Sequence, residues 1–234
     1  MFAACVLATV LGAASTQAQM IISISNSSFE SPVTADFVSI NPGLPGWEAP
    51  PFVNSYVVNT TGPTASATNV TGNQFLFLEP FADGANSYVY QRLGVNFQAG
   101  IYTLSADIGY ALGAFTAGGD ATANFQLLAY DGSTYNYNLG VPATTVSAAT
   151  LAGHNGLLSN YSYTLTLSGA EGFIGQEIAV FLQAQTTTPG LPQNVSYDNV
   201  GLQMVPEPST YALLALAAVG CAGYAARRRR ARCP

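Results

Sequence analysis

Tyr102-Thr103-Leu104-Ser105-Ala106-Asp107-Ile108-Gly109-Tyr110 is the stretch that decides the fold. Its apolar and aromatic side chains fall at every second position, and successive side chains of a strand point to opposite faces, so the segment reads as a strand with one buried side. The same period returns at Tyr161, Tyr163, Leu165 and Leu167, alternating with Ser162, Thr164, Thr166 and Ser168. Working outward, strands are predicted over Gln74 to Glu79, Ser87 to Leu93, Ala123 to Tyr130, Glu177 to Gln185 and Val195 to Met204. Turn-forming clusters separate them, notably Asp83-Gly84, Gly118-Gly119-Asp120 and Asp131-Gly132. Helical periodicity is absent between Ile21 and Met204. This pattern predicts an all-β domain, a two-sheet β-sandwich of jelly-roll type.

The two ends of the chain read differently. Phe2 to Ala14 is apolar or small and Thr16-Gln17-Ala18 offers a small-x-small cleavage site, so residues 1–18 are expected to be a signal peptide with a helical core. Before Arg92 the α-amino group is the only positive charge, so the usual basic leader is missing. At the other end Val205-Pro206-Glu207-Pro208-Ser209-Thr210 precedes an uncharged run from Tyr211 to Ala226 and then Arg227-Arg228-Arg229-Arg230. The prolines hold Glu207 out of any helix. The run spans ~24 Å as a helix, short of a ~30 Å hydrocarbon core unless the arginine stems snorkel. A single transmembrane helix over 211–226 with a basic cytoplasmic tail at 227–234 follows, with the domain on the outside. The expected organisation is thus signal peptide 1–18, ectodomain 19–204 and C-terminal signal 205–234.

Charge bounds the middle. Of six basic residues only Arg92 precedes the tail, against eleven acids, which leaves the ectodomain near −10. Such a surface repels nucleic acid and suits divalent cations and neutral polymers better. Cys5 lies in the leader and Cys221 and Cys233 in the tail, so the ectodomain has no disulfide. With His154 as its single histidine it cannot assemble an ordinary zinc or copper site from His and Cys ligands.

The C-terminal order of motif, helix and arginines resembles the PEP-CTERM sorting signal of Gram-negative, exopolysaccharide-producing bacteria. That resemblance implies an exosortase as processing partner, a transient stay in the inner membrane, and a mature form on the cell surface or in the extracellular matrix. The same tail resembles the C-terminal region named for ice-binding proteins. Within the ectodomain, Asn26-Ser27-Ser28-Phe29-Glu30-Ser31-Pro32 followed by Gly46-Trp47 resembles the opening of galactose-binding-like jelly rolls found in carbohydrate-binding modules. Val89-Tyr90-Gln91-Arg92-Leu93, Gly100-Ile101-Tyr102-Thr103-Leu104 and the closing Asp198-Asn199-Val200-Gly201-Leu202 resemble their middle and last strands. That resemblance implies a structural calcium between Glu30 and Asp198, whose shell backbone carbonyls and water would complete. The other reading has Glu30 bonding backbone amides and Asp198 capping the last turn.

For ligand binding the candidates are aromatic: Trp47, Tyr88 and Tyr90, with Tyr130, Tyr135 and Tyr137 beside them. An exposed ring stacks on the apolar face of a sugar while Asn, Gln and Asp bond its hydroxyls. A glycine-tryptophan in this position also packs into sandwich cores. No Gly-x-Ser-x-Gly elbow is present and no motif sets a carboxylate pair. The threonine pairs at Thr60-Thr61 and Thr144-Thr145 and the run Thr186-Thr187-Thr188 show no repeat that would match ice. The expected function is non-catalytic binding or scaffolding of carbohydrate or exopolysaccharide, the alternatives being a secreted hydrolase on polysaccharide or an ice-binding protein.

Overall fold

The computed structural model describes residues 19–33, 38–39, 44–49, 54–60, 67–80, 86–110, 121–136, 144–152, 156–186, 194–207 and 220–221. Within them lie β1 (Met20–Ile22), β2 (Val38–Ser39), β3 (Asn54–Asn59), β4 (Gln74–Glu79), β5 (Ser87–Asn96), β6 (Gly100–Gly109) and β7 (Thr122–Tyr130). β8 (Tyr135–Asn136), β9 (Thr144–Val146), helix α1 (Ala148–Ala152), β10 (Ser159–Leu167), β11 (Glu177–Gln185) and β12 (Val195–Pro206) follow. Two antiparallel sheets face each other as a jelly-roll sandwich. The seven-stranded sheet runs β10-β6-β12-β4-β3-β2, with β1 also paired to β12, and the five-stranded sheet runs β5-β11-β7-β8, with β9 also on β7. Residues 20–204 form one compact unit. The expected signal helix lies outside the described residues, as does the expected span except Gly220 and Cys221. No helix among the described residues is long and apolar enough to cross a membrane.

Alternation translates directly into packing. Along β6, Tyr102, Leu104, Ala106 and Ile108 are buried, and on its partner β10 so are Tyr163, Leu165 and Leu167. They meet Val180 and Leu182 of β11, Phe125 and Leu127 of β7, and Tyr197, Val200 and Leu202 of β12 in one core. Expected strand bounds agree with β4 and β11 and fall short on β5, which runs on through Gly94 to Asn96, and on β12, which runs on through Val205 and Pro206. β1, β2, β3, β8 and β9 were not anticipated; four of them are two or three residues long, too short to show a period. α1 is one turn, with Ser147 Oγ accepting the Thr150 amide at 3.2 Å as an N-cap.

Polar side chains tie the two sheets through the core. The Tyr197 hydroxyl, fully buried on β12, donates to Gln183 O at 2.6 Å and also lies 3.2 Å from Asn124 O, both on the opposite sheet. The Tyr163 hydroxyl of β10 accepts the Leu127 amide of β7 at 2.6 Å. That amide lies between the segments paired by β9 and β8, so no strand among the described residues supplies its partner. Tyr163→Phe is therefore expected to cost ~1–3 kcal/mol, the range for a buried donor left unmade. Chemical denaturation of the two proteins measures the difference, and an unchanged midpoint would refute the role given to the hydroxyl.

Candidate functional site

Two clusters of chemistry-bearing side chains stand out, one where the opening segment meets the closing strand and one on the outer face of the five-stranded sheet. At the first, the chain after β1 folds tightly. Asn26 accepts the Ser31 amide at 2.9 Å through Oδ1 and returns Nδ2 to Ser31 O at 2.6 Å. Gln91 of β5 fixes the same segment, accepting Ser25 N at 2.7 Å and donating to Ser25 O at 2.8 Å. Ser27 O takes the Val200 amide at 2.9 Å, which joins the opening segment to β12.

Glu30 and Asp198 end on one turn. Glu30 Oε1 accepts the amides of Asn73 and Gln74 at 2.9 and 2.8 Å. Asp198, fully buried, accepts Thr71 N through Oδ2 and Asn199 N at 2.7 Å through Oδ1. Gly72, at the middle of the turn, has φ +91°, and a Cβ there would stand 2.5 Å from the Glu30 carboxyl carbon. Burial pushes the Asp198 carboxyl up to about 7 against the pull of its two amides, and the nearby carboxylates of Asp107 and Glu30 add to the rise. The structure thus brings together the pair expected to hold calcium and gives their oxygens to amides. Among the described residues no group of three His, Cys, Asp or Glu could hold a metal ion.

The second cluster lies on the face of β5, β11 and β7 turned away from the core. Cross-strand pairing sets Tyr90, Phe181 and Gln126 in one row and Tyr88, Gln183 and Asn124 in the next. Phe181 stacks under Tyr88 at 5.2 Å, and Tyr90 meets Tyr135 of β8 at 4.6 Å. Tyr130 continues the stripe, 4.8 Å from Tyr135. Beside the rings runs an amide ladder, in which Asn124 Nδ2 donates to Gln183 Oε1 at 3.1 Å and to Gln185 Oε1 at 3.2 Å. Thr145 of β9 donates to Asn124 Oδ1 at 2.7 Å, completing it.

Charge gathers at one end of this stripe. Glu48 pairs its backbone with Tyr90 in a two-way bridge and its carboxylate with Arg92 at 2.9 Å. The Arg92 guanidinium also lies 5.2 Å from the Tyr130 ring centre. The Tyr135 ring lies on Tyr90, and Tyr90 pairs its backbone with Glu48, so the two phenols and the carboxylate are gathered in one place. Burial first, then the Glu48 carboxylate, raises the Tyr90 hydroxyl above the usual phenol value. For Tyr135, burial and then Tyr90 do the same.

Of the sequence-expected residues, Tyr88 and Tyr90 stand half-buried on this face. Trp47 does not join them. It is 4% exposed, packed on Phe29 at 5.3 Å with its Nε1 donating to Asn26 O at 3.3 Å, so its ring is not presented for stacking. Tyr137 and His154 lie outside the described residues. Sequence reasoning missed Phe181, Asn124, Gln183 and Glu48. A signal existed for Gln183, a polar position within the apolar run of β11. Val205 and Pro206 are the last residues of β12, and Glu207 follows them exposed and outside any helix. Pro208 and Arg227 to Arg230 lie outside the described residues.

The domain is a jelly-roll sandwich with an aromatic and amide face on its smaller sheet. Residues 20–203 match the HpiC1-like family, described as HpiC1 cyclase, and the chain belongs to it. Residues 205–230 match the PEP-CTERM protein-sorting motif, which marks an exported protein processed by an exosortase from a precursor anchored in the membrane at its C-terminus. A cyclase from Fischerella sp., solved in its apo form, is 21% identical over 80% of this chain and 97% of its own, with a TM-score of 0.57. The Stig cyclase Fisc from Fischerella sp. TAU, in complex with (3Z)-3-(1-methyl-2-pyrrolidinylidene)-3H-indole, is 22% identical over 81% and 99%, with a TM-score of 0.55. The CBM22-1 xylan-binding domain from Paenibacillus barcinonensis Xyn10C covers 81% of this chain and 97% of its own at 14% identity and a TM-score of 0.46. No curated protein matches.

The Asp198 environment makes a pH prediction. Its folded pKa stands above the unfolded value, so the folded state holds the extra proton and stability falls as pH rises from about 4 to about 7. Asp198→Asn is expected to flatten this dependence, read from melting temperatures across that range. A wild-type stability that rises over the same window would overturn the assignment.

Proposed function

We propose that the exported domain is a non-catalytic binding and scaffolding module of the extracellular matrix that takes polysaccharide across the Tyr88, Tyr90 and Tyr135 stripe. The single observation that carries this reading is the adjacency of tyrosine faces and an amide ladder on one sheet face. The apolar face of a pyranose stacks on a tyrosine ring, and Gln183, Gln185 and Asn124 offer donors and acceptors spaced for its hydroxyls. A net charge near −10 favours a neutral chain over a polyanion.

A second reading is a cyclase, favoured by membership of the HpiC1-like family and by Tyr135, Tyr90 and Glu48 gathered beside an aromatic wall. A relative binds an indole compound, and a flat heteroaromatic ring would stack on the same tyrosines, with Glu48 and the phenols as proton-handling groups. The polysaccharide hydrolase gains less support, because glycosidases set two carboxylates a defined distance apart and Glu48 is engaged with Arg92.

Affinity electrophoresis of the exported protein through gels containing the host's exopolysaccharide or xylan tests the first reading. Tyr88→Ala and Tyr90→Ala should each weaken retardation at least ~10-fold, equal to ~1.4 kcal/mol, and because both rings also cover Phe181, Leu128 and Ala179, retardation is compared at a temperature where each variant is shown to be folded. Retardation by no polysaccharide, together with saturable binding and turnover of an indole-bearing alkene, would replace the binder with the cyclase.

The opening junction is read as structural without a metal, its carboxylates serving the amides of residues 71, 73, 74 and 199. Calorimetry with calcium and with EDTA is expected to give the same melting temperature. A calcium-dependent rise of several degrees would restore calcium to the junction.

A further inference from the structure

The ectodomain carries one base against eleven acids, and that base stands on the aromatic face. Arg92 follows Tyr88 and Tyr90 at the next outward position of β5, since alternate residues of a strand share a face. It lies opposite Ala179 of β11, in the row next to the one that holds Tyr90 and Phe181. Its guanidinium carbon stands 5.2 Å from the centre of the Tyr130 ring, and Tyr130 in turn lies 4.8 Å from Tyr135. Arg92 is therefore the end of the tyrosine stripe and not a neighbour outside it.

The guanidinium is held but not used up. Among the described residues its one hydrogen bond runs from Nε to Glu48 Oε1 at 2.9 Å, and the side chain stays 43% exposed. The Nη nitrogens carry a planar fork of donors that fits a carboxylate bidentately, and they have no partner among the described residues. Glu48, anchored through its backbone to Tyr90, and the Tyr130 ring restrict where that fork can go, so a ligand that takes it orders little that was free. An exposed ion pair adds little to stability, so the bond to Glu48 is a weak reason by itself for placing the ectodomain's single base here. We infer, on the reading of this face as a polysaccharide site, that Arg92 is its specificity-determining residue. The chain taken here is a largely neutral one with sparse carboxylates, as uronic acid residues supply, and one carboxylate docks on the Arg92 fork while neutral rings beside it stack on Tyr90 and Tyr88. Eleven acids repel a dense polyanion, and one base gives a single carboxylate its place.

Calorimetric titration of the exported protein with glucuronic-acid-bearing xylan, as such and after its carboxyls are reduced to alcohols, tests this at low ionic strength. The parent protein is expected to bind the acid form at least ~10-fold more tightly than the reduced form, the scale of a hydrogen bond to a charged group. In Arg92→Gln that ratio is expected to fall to one or below, since only repulsion by the acids is left. Arg92→Lys keeps the charge without the planar fork and is expected to recover only a small part of the ratio. Melting temperatures show that each variant is folded. Equal binding of the two forms by the parent, or a ratio that survives in Arg92→Gln, overturns the role of Arg92 and leaves the polysaccharide reading standing. A full ratio in Arg92→Lys overturns the fork in favour of plain charge attraction. Binding of neither form by the parent removes the polysaccharide reading and the inference with it.

Discussion

The Tyr197 hydroxyl is the contact on which the geometry of this sandwich turns. It sits fully buried on the central β12 and reaches across the core to Gln183 O and Asn124 O. A phenol is rigid, so this bond fixes how far β12 stands from β7 and β11 and at what level along them. The consequence appears on the other side of the smaller sheet. Gln183 and Asn124, whose backbones Tyr197 holds, are also the residues whose side chains form the outward amide ladder beside the tyrosines. One core hydroxyl thus sets the position of a surface face.

That face is rigid for a second reason. Phe181, Leu128 and Ala179 are buried although they point away from the main core, because Tyr88, Tyr90 and Tyr135 lie over them. The rings are held from beneath by packing and at the rim by Glu48 and Arg92, so a ligand that stacks on them orders few side chains that were not already ordered. The opening junction works differently. Glu30 and Asp198 give oxygens to the backbone amides of Thr71, Asn73 and Gln74, which pins that turn to both ends of the domain.

How much of this was legible in the sequence follows from which faces meet water. β6 and β10 alternate cleanly because their outer faces are solvated, so Tyr102 to Ile108 declared both a strand and its buried side. β11 is buried on both faces, and Glu177 to Gln185 reads as an apolar run from which a strand follows but not a facing. That is why Phe181 went unnoticed. Tyr135 is delivered by a strand of two residues after the Asp131 turn, and no local pattern says that such a tyrosine will meet Tyr90. The opening and closing motifs point to Glu30 and Asp198, which both bond amides of residues 71–74, yet motif spacing says nothing about whether a carboxylate faces a cation or an amide. The tail was the most legible part, because its meaning lies in linear order.

β12 has the longest reach of any strand and stands between β6 and β4, with β1 beside its lower end, yet it is the last strand before the membrane-directed tail. Without it the larger sheet falls into two pieces, the β10-β6 pair on one side and the β4-β3-β2 group on the other. The strand that joins them is formed by the last residues of the domain, so the larger sheet is closed by the end of its own sequence and not by its beginning.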